Sequence, residues 1–383
     1  MGLTFHVRAC DPGSRARLGQ LTTAHGSVDT PVFMAVGTRA TVTGMTPREL
    51  TELQTQVVLG NTYHLMLRPG PELFRRVGGL HNFMHWHGPI LTDSGGYQIF
   101  SMSEDRTIDE QGARFRSYVD QRIRMLSPED SIAMQTAIGS DIMMVLDECI
   151  RSTADEAATR AAMERTHRWA LRSLAARTNP EQALFAINQG GLLPALRRES
   201  ADFLTQHPFD GFAIGGLAVG DTREQRADVM QLAVELLPEA KPRYLMGVGT
   251  PADLLEAIGY GVDMFDCVLP TSLAWHGTGF TSTGRVRVTR GATGTDDRPL
   301  DAACSCTVCK QFTRSYLHHL FKCGEPLGPR LLSYHNLFHY HGLMREAREA
   351  IAAGEYASYA RQKLAAIDRH EHSDHRPGRV AAE

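Results

Sequence analysis

The feature that most restricts the fold is a series of eight short apolar runs, prone to β-structure, spread over 31–270. They read PVFMAV (31–36), VVLGN (57–61), PILTD (89–93), IMMVLDE (142–148), ALFAINQGG (183–191), GFAIGG (211–216), RYLMGVG (243–249) and VDMFDCVLP (262–270). Most intervals between them carry a helix signature. Ser127-Pro128-Glu129-Asp130 combines an N-cap serine, proline at the first helical position and acids in the first turn. Stretches 151–176, 222–237 and 251–258 also read as helices. Eight strands alternating with helices predict an α/β chain built as a (β/α)8 TIM-type barrel. A doubly wound open sheet has the same alternation. The polar punctuation favours the barrel. Runs end on Asp93, Asp147, Gln189, Gly215-Gly216, Gly247 and Asp266. In a closed parallel barrel those ends gather on one face, where such folds keep their active sites.

The 383-residue length leaves room for additions to a barrel. Residues 1–30 read as a strand–turn–strand element capping it, and 31–270 as the barrel proper. The long interval after Asp93 holds an alternating, charged hairpin at 113–124. Beyond Pro270, Gly, Thr and Arg dominate, then a cysteine cluster, then helix, so 271–368 reads as a separate subdomain with closing helices. The polar stretch 369–383 is expected to be a disordered tail. No apolar run reaches the ~18 residues of a membrane span, and the N-terminus lacks the apolar stretch of a secretory signal. Net charge is −3. Between Cys267 and His335, however, eight Lys/Arg face four acids, a local positive surplus of the kind a polyanion partner requires. The seven cysteines, an odd number with no signal peptide, suggest a reducing, cytoplasmic setting.

Three of those cysteines, Cys304, Cys306 and Cys309, fall within six residues, which is metal-ligand spacing. A fourth ligand closes a tetrahedral site. His335 is the nearest candidate and Cys323 the competitor. A closed site of this composition implies structural Zn2+, because no coordination position stays open for chemistry. His318, His319 and His339 read as ordinary helix residues.

Asp266 is flanked by apolar residues on a buried run, a costly placement unless the acid is paired or functional. Asp147 repeats the theme, and Asp93 opens a Gly-rich DSGG turn where backbone can approach a ligand. Three acids at the ends of three parallel strands can share one pocket. Two carboxylates beside a sugar can divide the roles of nucleophile and general acid/base.

These motifs coincide with those of a known family. The chain resembles the bacterial tRNA-guanine transglycosylases, or queuine tRNA-ribosyltransferases, over about 5–340. The resemblance rests on NTYHL (61–65), DSGGYQ (93–98), DEC (147–149), QGG (189–191), GGLAVG (215–220), YLMGVG (244–249), DMFDCVLP (263–270), the cysteine cluster and His335-Asn336, all in order. It implies a barrel with an inserted zinc subdomain, a homodimer, and exchange of the wobble guanine of certain tRNAs for a 7-deazaguanine without ATP or redox cofactor. Residue by residue, it implies Asp266 as nucleophile at the ribose anomeric carbon and Asp93 as general acid/base. It places Asp147 on the guanine N1–H and 2-amino group, Gln189 and the Gly216 N–H on the base carbonyl, and Tyr97 and Met246 on the two ring faces. The Leu217 carbonyl would meet the aminomethyl group of the incoming base. Cys149 and Val219 match the bacterial form, which favours 7-aminomethyl-7-deazaguanine.

One loop departs from the pattern. The family usually reads Pro-Thr-Arg-x-x-Arg-Asn/His-Gly after the nucleophile strand, and this chain reads Pro270-Thr271-Ser272-Leu273-Ala274-Trp275-His276-Gly277. Ser272 and Trp275 replace two arginines that would contact the anticodon loop, with His276 beside them. Trp275 can stack on a base instead. Asp221 stands where glutamate is common. Three rival functions follow: a paralogue directed at another nucleic acid, an RNA-binding module without catalysis, and a barrel hydrolase with a catalytic metal on His85-x-His87.

Overall fold

The computed structural model describes residues 2–102 and 105–374. Strands β1 (Thr4–Cys10), β2 (Arg17–Thr23) and β3 (Gly26–Thr30) form an antiparallel sheet ahead of the barrel. Strands β4 (Val32–Val36), β5 (Val58–Gly60) and β6 (Ile90–Thr92) open the barrel. A second antiparallel sheet, β7 (Arg106–Ile108), β8 (Ala113–Arg116) and β9 (Ile123–Leu126), is inserted next. Strands β10 (Ile142–Met144), β11 (Ala183–Asn188), β12 (Gly211–Ile214), β13 (Arg243–Leu245) and β14 (Met264–Asp266) complete it. The eight parallel strands close in the order β10-β11-β12-β13-β14-β4-β5-β6. β14 meets β4 with Phe265 opposite Phe33, and β10 meets β6 with Ile142 opposite Leu91.

The eight apolar runs are thus the eight barrel strands. Every residue of β4 and of β11 is buried, as parallel strands covered on both faces require. The hydrogen-bonded strands are shorter than the runs. β10 ends at Met144 and β11 at Asn188, so Asp147 and Gln189 sit in the loops just past them. Helix starts are set by side-chain caps: Ser127 and Asp130 form a reciprocal capping box ahead of Pro128–Ile138, and Thr222 and Gln225 form one ahead of Arg223–Leu236.

The N-terminal element has three strands rather than the expected two. It is pinned to the strand that carries Asp266. Arg17 of β2 donates to both oxygens of Asp263, at 2.9 and 2.5 Å, and both side chains are buried. Removing one partner of such a pair costs about 3–5 kcal/mol. The hairpin expected at 113–124 is β8–β9, with β7 as an additional strand. It covers a small core of Tyr63, Ile99, Phe115, Leu126 and Trp169. Arg168 of the helix Glu156–Ala176 ties it down through the Glu110 carboxylate, and Arg172 through the Glu110 and Gln111 carbonyls.

After β14 comes the helix Leu269–Trp275, then the hairpin β15 (Thr278–Thr281) and β16 (Gly284–Arg287). Helices Thr307–Gln311, Arg314–Lys322, Leu327–Ala352 and Tyr356–Asp374 follow. A separate core of Ala274, Val288, Leu300, Val308, Leu317 and Leu332 surrounds the cysteines. The stretch expected as a tail falls on the end of the last helix and on 375–383, which lie outside the described residues. No helix among the described residues is long and apolar enough to cross a membrane.

Candidate active site

A cavity of about 340 Å³ opens at the C-terminal ends of the barrel strands and brings Asp93, Asp147 and Asp266 together. Neighbouring strand ends hold each acid. Asp93, just past β6, accepts the Thr62 N–H on Oδ1 (2.7 Å) and the Asn61 amide on Oδ2 (2.6 Å). Asp147 accepts the Ser94 hydroxyl on Oδ1 (3.0 Å) and the Gln189 amide on Oδ2 (2.8 Å). Asp266 accepts the Tyr244 hydroxyl (2.6 Å) and the Gly247 N–H (2.8 Å), both on Oδ1. Its Oδ2 accepts no hydrogen bond from the described residues.

Loss of water outweighs these hydrogen bonds. Burial pushes Asp93 up to about 6, and the nearby charge of Asp266 adds to the rise. Burial also pushes Asp147 up to about 6 and raises Asp266. The Tyr244 hydroxyl is raised well above its ordinary value by burial and by Asp266, so it stays a donor. The floor of the cavity therefore holds two carboxyl groups that exchange protons near neutrality beside a third with one oxygen left unbonded.

Tyr97, Gly216, Leu217 and Met246 line the same cavity, with the Tyr97 side chain exposed at its mouth. Gly216 has a φ of +68°, and a Cβ there would lie 2.4 Å from the Gln189 Oε1, so only glycine fits. Gln189 differs from expectation. It is buried behind Asp147 rather than in the cavity wall, with its amide N–H spent on that carboxylate. Asp221 accepts the Val219 N–H and faces Arg226 at 3.1 Å, which fixes the loop after Leu217. Tyr244, Asn61, Thr62 and Ser94 had no role in the sequence reading, and Gly247 had one only as a strand end. The other signal for them was membership of the NTYHL, DSGGYQ and YLMGVG motifs.

Ser272, Trp275 and His276 do not line the cavity. They lie on or just past the helix Leu269–Trp275 that follows the Asp266 strand. Trp275 is 42% exposed and packs at Gly44, where the Arg330 stem also lies. Arg330 donates to the Gly44 carbonyl and to Glu49. His276 is exposed, with Nδ1 2.7 Å from the Ser272 carbonyl oxygen.

Cys304, Cys306, Cys309 and His335 converge. The His335 Nδ1 lies 3.8, 3.5 and 3.3 Å from the three sulfurs. A tetrahedral zinc with ordinary bond lengths sets such edges at about 3.6 Å, so the residues fit the ion. His335 Nε2 donates to the Phe280 carbonyl (2.6 Å), which leaves Nδ1 free for a metal. Cys323 is exposed beside His319 and is not part of the group. Next in sequence, Asn336 accepts the Phe280 N–H and donates to the Pro270 and Thr278 carbonyls, which joins the cluster to the segment after Asp266. A second trio, His25, His81 and Asp141, lies at the other end of the barrel. Its imidazoles are stacked 3.6 Å apart and nearly parallel, so an ion on the lone-pair axis of one ring lies off the plane of the other. That trio is a hydrogen-bonded stack on a carboxylate, with His25 Nδ1 2.7 Å from Asp141. His85 and His87 do not line the cavity, so the metallohydrolase reading has no catalytic metal site there.

Fold and site define a (β/α)8-barrel enzyme with three buried carboxyl groups at the strand ends and, apart from them, a Cys3His cluster that could hold a metal ion. The queuine tRNA-ribosyltransferase family model matches residues 10–369, and the chain belongs to that family. A queuine tRNA-ribosyltransferase of Desulforudis audaxviator is 50% identical over 367 residues, 96% of this chain and 99% of the relative. That of Halothermothrix orenii is 51% identical over 351 residues, 92% of this chain and 94% of its own. That of Moorella thermoacetica is 49% identical over 358 residues, 94% and 96%.

Proposed function

We propose that this chain is a tRNA-guanine transglycosylase that exchanges the wobble guanine of GUN-anticodon tRNAs for 7-aminomethyl-7-deazaguanine. The observation that carries this is Asp266, with both hydrogen bonds on Oδ1 and an unbonded Oδ2 beside Asp93. Oδ2 of Asp266 forms a bond to the ribose C1′ as the C1′–N9 bond breaks. The electron pair leaves with guanine, and Asp93 supplies the proton that neutralises it. The deazaguanine then enters, gives its N9 proton to Asp93, and displaces Asp266 from C1′. A group titrating near 6 suits this two-way traffic. Asp147 accepts from N1–H and the 2-amino group, the Gly216 N–H meets the 6-oxo group, and Tyr97 and Met246 cover the ring faces. Gln189 joins them on the 6-oxo group by releasing Asp147. The Leu217 carbonyl takes the aminomethyl group.

The cysteines and His335 hold a structural Zn2+, which supplies cross-linking energy and no catalysis. The division into 1–30, 31–270, 271–368 and a tail, a homodimeric state and a cytoplasmic location belong to the same proposal. The test is a denaturing gel of the protein with unmodified GUN tRNA, run beside labelled-guanine incorporation. A covalent band and incorporation are expected, both absent in Asp266→Asn. Incorporation that survives in Asp266→Asn sinks the assignment. A second reading, a transglycosylase with an altered nucleic-acid target, is favoured by the exposed Trp275 where arginine is usual. Exchange on tRNA only after Ser272→Arg with Trp275→Arg would select it.

A further inference from the structure

Arg197, on the helix Pro194–Leu204, is completely buried, and no carboxylate among the described residues hydrogen-bonds to it; the charge of Asp221 acts on it only from beyond contact distance. Burial lowers it to about 10, so it stays charged at neutral pH. A buried cation with no carboxylate in contact is costly, and an aliphatic side chain would pack the same space at lower cost. Its donors go to backbone carbonyls at two strand ends. Nε donates to Gly191 (2.9 Å), Nη1 to the Asn188 carbonyl (2.6 Å) and its side-chain oxygen (3.2 Å), and Nη2 to Gly215 (2.8 Å).

The last contact matters most. The Gly215 carbonyl and the Gly216 N–H belong to one peptide unit, and both residues line the active-site cavity. A cation donating to a peptide carbonyl draws electron density from its nitrogen and strengthens the N–H on the far side. We propose that Arg197 is a positioning residue that polarises the Gly215–Gly216 peptide, and that its Gly216 N–H binds the 6-oxo group of the purine more strongly as the base departs. This rests on the reading of the cavity as a transglycosylase base site. When the C1′–N9 bond breaks, the electron pair delocalises over the ring onto the 6-oxygen. A preorganised donor there gains strength in the transition state, as in an oxyanion hole. The guanidinium also fixes the strand ends that place Gln189 and Gly216 side by side.

The test compares wild type, Arg197→Lys and Arg197→Met on guanine and on 2-aminopurine, which lacks the 6-oxo group. In Arg197→Met, kcat for guanine exchange should fall roughly tenfold with the tRNA KM unchanged. The affinity advantage of guanine over 2-aminopurine should shrink by a similar factor while 2-aminopurine binding holds. Arg197→Lys, which keeps the charge, should recover part of both. Equal losses on the two bases, or no loss, overturn the proposal. If the variants fold poorly, the readout moves to the C6=O stretch of guanine bound to the wild type. A downshift past the value in water is expected, and a stretch at or above that value overturns the proposal. Absence of guanine exchange in the wild type would instead overturn the base-exchange reading.

Discussion

Tyr244→Phe isolates one of the two hydrogen bonds that favour the ionised form of Asp266 against its burial. The hydroxyl reaches Oδ1 at 2.6 Å from the adjoining strand, and the ring is buried, so phenylalanine fills the same space. A hydrogen bond to an ionised group is worth roughly 1.5–3 kcal/mol. At 1.36 kcal/mol per unit that is about one to two pH units. Burial already raises Asp266, and the variant keeps the burial while losing one opposing bond. The carboxyl group must lose its proton before it can attack. The acidic limb of kcat/KM should therefore move up by about one to two pH units. Above the limb the carboxylate is more basic than before, so the plateau should stay within a few-fold of wild type. The assay is labelled-guanine incorporation into GUN tRNA from about pH 5 to 9, with a melting curve to establish folding. A uniform drop at every pH, with the limb in place, would refute the reasoning. It would mean that the hydroxyl orients the carboxylate without helping to ionise it.

Other expectations are as direct. Asp147 sits near 6 when folded and near an ordinary 3.9 when unfolded, so the folded state binds its proton more tightly. Stability then declines as pH rises through that window, by up to about 3 kcal/mol. Asp147→Asn should be more stable than wild type at pH 8 and equal to it near pH 4 in urea melts, and a variant weaker at pH 8 contradicts this. Metal analysis should find one zinc per chain. Its removal should open 271–352 to protease while barrel circular dichroism persists, whereas instant, reversible loss of exchange without structural change would point to a catalytic metal. Trp275→Ala should raise the tRNA KM roughly 5- to 150-fold, the worth of one stacked base, and leave the affinity for free guanine alone; an unchanged KM removes Trp275 from the interface.

The barrel was legible because strands covered on both faces must be apolar, and because an acid directly after such a run stands out. The cysteine spacing marked, before any fold was known, a cluster that could hold a metal ion. The partners of the acids were hidden for a physical reason. Tyr244 reads as one more core aromatic, and its contact with Asp266 exists only because β13 and β14 are neighbours. Arg197 and Arg198 look alike in a charged helix, and only the packing of that helix buries the first and exposes the second. Gln189 stood out in the sequence as a strand-end polar residue, but not its place behind Asp147, because β11 ends one residue earlier. β7 escaped notice because Arg106–Ile108 has no alternation to read.

Asp266 lies on the seam of the ring. Its strand pairs with β4, with Asp266 opposite Met34, and is the last of the eight to emerge during synthesis. Pairings this distant in sequence form late. Until β14 docks, Arg17 has no Asp263 to hold, and Tyr244 and Gly247 have no carboxylate between them. A nascent chain on the ribosome, surrounded by tRNA, has therefore made the other seven strands of the ring before its proposed nucleophile emerges. The step that shuts the ring also arms it, so a half-made copy has no carboxylate in place to break a glycosidic bond.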